Sequence, residues 1–68
     1  MIDGEKEFYS LSDEAREVLR FVYKKRRVLP VAGNAFIELL DADFIKWEED
    51  ESVVLTERGE KCSSFFFD

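Results

Sequence analysis

Between residues 35 and 61 the apolar side chains change their period twice, and nothing else in the 68-residue chain restricts the fold as much. Phe36, Ile37 and Leu40 keep the three-to-four-residue spacing of a helix with one inward face, and Asn34 stands where a cap would start it, over Ala35 to about Asp41. From Asp43 to Glu48 the pattern becomes alternating, with Phe44, Ile45 and Trp47 apolar and Lys46 and Glu48 polar. Val53, Val54 and Leu55 form a second β-branched run, and the residues Glu48 to Ser52 between the two suit a hairpin connection. Thr56 before Glu57 reads as the cap of a closing helix, whose length Gly59 leaves open. Helix, strand, acidic turn, strand and helix within so short a span predict a small α+β domain, with two to three helices and a two-stranded hairpin.

Upstream, Ala15, Val18, Leu19, Val22 and Tyr23 recur as one buried helical stripe, with Ser12 as N-cap. Asp13 and Glu14 fall in its first turn and Lys24, Lys25, Arg26 and Arg27 in its last, the arrangement favoured by the helix macrodipole. Leu29-Pro30 is expected to end it, because proline disfavours helical geometry in the residue before it. Residues 28–33 then connect to the second helix. Residues 1–10 show no sustained period and read as an N-terminal arm, with Phe8 and Tyr9 able to dock. The predicted core draws on Val18, Leu19, Val22, Phe36, Ile37, Leu40, Ile45, Trp47, Val54 and Leu55.

A chain this short buries a small core and is marginal alone, so a homodimer is in keeping with its size. Hydrophobic residues make up 46% of it, enough to exclude a disordered chain despite the charge. The longest uncharged run, 28–37, is too short to span a bilayer, and the acidic N-terminus is unlike a secretory signal. The expectation is a soluble, cytoplasmic protein of one domain, 1–68.

The chemistry that is missing narrows the function. The chain has no histidine and one cysteine, Cys62, which removes the commonest general base and leaves no internal disulfide or cysteine zinc site. Glu48 to Glu51 lack the spacing and central glycine of a calcium loop. No cofactor, metal or catalytic activity is therefore expected.

The segment 36–61 resembles the C-terminal half of winged-helix regulators of the MarR and PadR kinds. In that pattern a recognition helix enters a strand through "LL-x-x-G-L-I" and the wing returns through "V-x-L-T-x-x-G". The corresponding residues are Leu39-Leu40-Asp41-Ala42-Asp43-Phe44-Ile45 and Val53-Val54-Leu55-Thr56-Glu57-Arg58-Gly59. The resemblance covers a little over a third of the chain and implies a winged-helix-like domain in which residues 11–27 serve as the first helix. Two departures matter. Only fifteen residues, 28–42, stand where the family has two helices, and Asp43 occupies a common glycine position.

Charge points away from the family's usual ligand. The net charge is −6, and residues 28–57 hold eight acids against one base, whereas 13–27 hold six bases against three acids. DNA affinity depends on lysine and arginine displacing counterions from phosphates, so an acidic helix and wing reverse that contribution. The predicted role is non-enzymatic binding of a protein with a basic surface through Glu38, Asp41, Asp43, Glu48, Glu49, Asp50 and Glu51. Rows of acids at such spacings would imitate a phosphate strand, as DNA-mimic inhibitors of phages do. The same acids would equally serve solubility alone. The alternative is a small DNA-binding regulator using Lys24, Lys25, Arg26, Arg27 and Asn34. Phe65, Phe66 and Phe67 cannot share one core face, so the tail either covers the first helix or drives self-association.

Overall fold

The computed structural model describes residues 2–30 and 33–68. In chain order the elements are α1 (Glu5–Ser10), α2 (Asp13–Lys25), β1 (Arg27–Val28), α3 (Asn34–Asp41), β2 (Ile45–Trp47), β3 (Val53–Leu55) and α4 (Glu57–Phe67). The class is α+β, as the sequence predicts, but among the described residues there are four helices and a three-stranded antiparallel sheet in the order β1-β3-β2. Val53 and Val54 pair with Trp47 and Lys46 on one side and with Val28 and Arg27 on the other.

α2 starts as expected: the Ser12 hydroxyl accepts from the Ala15 N–H at 3.1 Å, and Ala15, Leu19 and Val22 are fully buried. It stops earlier than proline would require. Arg26 turns to φ 70 and donates its N–H to the Val22 carbonyl, which frees Arg27 and Val28 to pair with β3. Without that short strand one edge of β3 would be left with unpaired backbone groups, a stronger demand than the proline signal. The expected connector 28–33 thus begins as a strand, and its residues 31 and 32 lie outside the described residues.

The arm 1–10 is also corrected. Its residues 5–10 form α1, and Met1 lies outside the described residues. Phe8 is buried against Phe66 with parallel rings 4.0 Å apart, so a helix too short to show a period is fixed by a distant aromatic. Arg58 adds to this by pairing with Glu7 at 2.6 Å and Asp3 at 3.8 Å.

The inward face of α3 differs from the expected one. Ala35 and Leu39 are buried, Phe36 and Leu40 partly so, and Ile37 is 55% exposed. Gly33, not Asn34, occupies the cap position, with no side-chain cap bond. The rotation follows from how α3 ends. The Phe44 N–H donates to the Leu39 carbonyl and the Asp43 N–H to that of Leu40, a Schellman closure with Asp43 in the left-handed region at φ 63. That closure turns Leu39 and Phe44 together into the core, where both are fully buried. Trp47, at the far end of β2, is 54% exposed instead of lying in the core as expected.

α4 begins directly on this junction. The Thr56 N–H donates to the Phe44 carbonyl at 3.0 Å, and its hydroxyl donates to the Asp43 carbonyl while accepting from the Gly59 N–H. A Cβ on Gly59 would stand 2.0 Å from the Phe44 carbonyl oxygen, so only glycine allows the first turn of α4 to approach so closely.

Two substitutions test this junction in thermal unfolding. Gly59→Ala must push α4 off the Phe44 backbone and should lower stability by about 3 kcal/mol. Asp43→Gly removes both the left-handed strain and an anion at a helix C-terminus, and should raise Tm by about 4–8 °C, equivalent to roughly 1 kcal/mol.

Candidate partner-binding surface

The hairpin turn is built around Asp50. Its carboxylate accepts from the Ser52 hydroxyl and N–H and from the Arg27 guanidinium at 2.9 Å, which ties the turn to β1. These bonds, the Ser52 hydroxyl first and the Arg27 charge after, hold its pKa below the ordinary carboxylate value. Glu51 closes the turn at φ 66, its N–H donating to the Glu48 carbonyl. Asp50 is therefore a structural anchor, while Glu49 and Glu51 are exposed and Glu48 is half-exposed.

Glu38 is a second acid with a structural task. The Ser12 hydroxyl and N–H donate to its two carboxylate oxygens at 2.7 and 2.9 Å, joining α3 to the start of α2. Those same bonds depress its pKa. Asp41 and Asp43, in contrast, are exposed at the end of α3. Among the described residues Asp41, Asp43, Glu48, Glu49 and Glu51 form no ion pair.

The basic cluster divides in a similar way. Arg26 pairs with Glu60 and lies 4.8 Å over the Tyr23 ring, and Arg27 is held by Asp50 and Ser52. Lys24 and Lys25 are exposed and form no ion pair among the described residues. Asn34 is exposed in the first turn of α3.

The tail aromatics also split. Phe66 and Phe67 are half-buried, Phe66 on Phe8 and Tyr9 and Phe67 against Phe8 and Tyr23, whereas Phe65 is 57% exposed. Cys62 is fully enclosed, and burial raises its thiol to about 11, so it is protonated at neutral pH.

Phe21 lies outside the buried stripe of α2, a position visible in the sequence spacing. It is 52% exposed and borders an apolar groove of about 300 Å³ with Val18, Val28, Leu29 and Phe36, rimmed by Glu14 and Glu17.

No helix of the described residues is long and apolar enough to cross a membrane. Comparison with known proteins finds no matching family model, no matching curated protein and no matching solved structure.

A carboxylate whose folded pKa is depressed contributes stability that is present above its unfolded value and lost as pH falls through the folded one. Glu38→Gln should therefore lower the urea midpoint at neutral pH and flatten its decline below about pH 4.5, the ordinary glutamate value. An unchanged acid limb would mean that the Ser12 contacts do not hold the carboxylate.

Proposed function

We propose that this chain is a non-enzymatic protein-binding domain, a reduced winged helix that offers acids to a basic partner in the way a DNA strand would. The observation that carries this reading is the division of its charges. Asp41, Asp43, Glu48, Glu49 and Glu51 are left without ion pairs among the described residues, whereas two of the four bases at 24–27 are engaged by Glu60 and Asp50. Asp43 and Glu48 flank β2, so the free acids run from the end of α3 along that strand to the turn. A basic surface would be drawn to them at long range, and association would accelerate at low salt.

The winged-helix part rests on backbone geometry at the positions that carry the resemblance. Asp43, at the family's common glycine position, has a left-handed backbone, and the glycine of "L-T-x-x-G" is Gly59, packed on Phe44. α3 leads into a hairpin that returns into α4, the order the resemblance implies.

A regulator that contacts DNA itself is the second reading, favoured by the exposed Lys24 and Lys25, with Arg20 one turn before Lys24 and Asn34 exposed on α3. Three phosphate contacts give a salt slope of only about −3, too shallow for strong duplex binding.

Fluorescence anisotropy of a labelled duplex at low salt tests both. Alone, the domain should leave the duplex signal unchanged. With a sequence-nonspecific basic DNA-binding protein on the duplex, it should release the DNA, and the variant Asp41→Asn, Glu48→Gln, Glu49→Gln, Glu51→Gln should not. Equal release by that variant would refute the acidic surface, and direct, steeply salt-dependent binding to the duplex would replace it with the regulator.

A further inference from the structure

The outer face of α2 carries a stripe that neither the core nor the acidic hairpin uses. Glu14, Glu17, Phe21 and Lys24 follow one another at spacings of three, four and three residues, which places them in one line along the helix, and all four are exposed. Arg20 is exposed beside them, and a shallow depression of about 310 Å³ runs among Glu17, Arg20, Phe21 and Lys24. Among the described residues Glu14, Glu17, Arg20 and Lys24 form no ion pair. Next to the stripe lies the apolar groove floored by Val18, Val28 and Phe36.

Acids at the start of a helix and bases at its end answer the macrodipole, so this polarity alone has an ordinary explanation. It does not explain an exposed phenylalanine between Glu17 and Lys24, beside an apolar groove. We infer that this face binds a second copy of the same chain, with the two α2 helices antiparallel about a two-fold axis at Phe21. An isologous contact requires a self-complementary surface. Here the antiparallel arrangement sets the acidic half of each helix against the basic half of the other, while a parallel one would set like on like. Glu17 lies about 6 Å along the axis on one side of Phe21 and Lys24 about 4.5 Å on the other, by helical rise. A dyad at Phe21 therefore brings Glu17 and Lys24 of the second copy within about 1.5 Å of direct opposition, well inside the reach of a lysine. Each Phe21 ring then enters the groove of the opposite copy, supplying the buried aromatic anchor that such interfaces depend on.

This surface is separate from the hairpin acids and stands or falls independently of the proposed function. Sedimentation velocity of the full chain over a concentration series decides it, with far-UV circular dichroism confirming that each variant is folded. The wild type should show a monomer–dimer equilibrium. Glu17→Lys and Lys24→Glu should each weaken it by about tenfold or more, because each puts like charges opposite at two symmetry-related places. An equimolar mixture of the two single variants should associate again, since each supplies the charge the other lacks, and Phe21→Ser should leave a folded monomer. A wild type that is monomeric at every concentration overturns the inference. So does a dimer that survives all of these changes, or one lost only on Phe65→Ser, which would move the contact to the aromatic end.

Discussion

The rest of the structure depends on one close approach, the first turn of α4 lying against the backbone of Phe44. At that point the end of α3, the start of β2 and the end of β3 meet within a few residues, and three hydrogen bonds satisfy four backbone groups. Thr56 accepts the Gly59 N–H while giving its own N–H and hydroxyl to the carbonyls of Phe44 and Asp43. The contact is possible because Gly59 has no Cβ and because Asp43 accepts a left-handed backbone. Phe44 then points into the core beside Leu39, and its ring receives the Arg58 guanidinium that also holds α1 through Glu7. Element placement, core closure and the docking of the N-terminal helix all pass through this junction.

That dependence changes what the sequence motif means. The residues of "L-T-x-x-G" are explained by capping and close packing alone, and so are Leu39, Asp43 and Phe44. None of them needs a ligand. The fold leaves other side chains free of such duties, namely the acids of the α3 end and turn and the outer face of α2, and the proposed contacts are built on these.

Elements with their own local signal were legible in the sequence. α2 has a five-residue stripe and a serine cap, β3 a β-branched run, and α4 a threonine cap, and each stands close to where its pattern places it. Elements that exist through distant contacts were not. α1 is held by Phe66 and Arg58, β1 by the edge of β3, and the roll of α3 by its Schellman closure, none of which leaves a period in six, two or eight residues. Charge behaved in the same way. In sequence Glu38 and Asp50 are indistinguishable from the free acids, because sequence shows charge but not partners, and their partners, Ser12 and Arg27, lie 26 and 23 residues away. Arg26 moved out of the basic patch for the same reason, through Glu60.

A small α+β chain of this kind has little stability to spare, so a single junction can set the cooperativity of the whole. Native-state hydrogen exchange followed by NMR is the most direct test of that claim. The amides of Phe44, Thr56 and Gly59 should exchange only through global unfolding, with the same denaturant dependence as the buried centre of α2 at Leu19 and Val22. Exchange of those three amides through local opening, while Leu19 and Val22 remain protected, would show that α2 and the sheet hold together without the junction and would contradict the account.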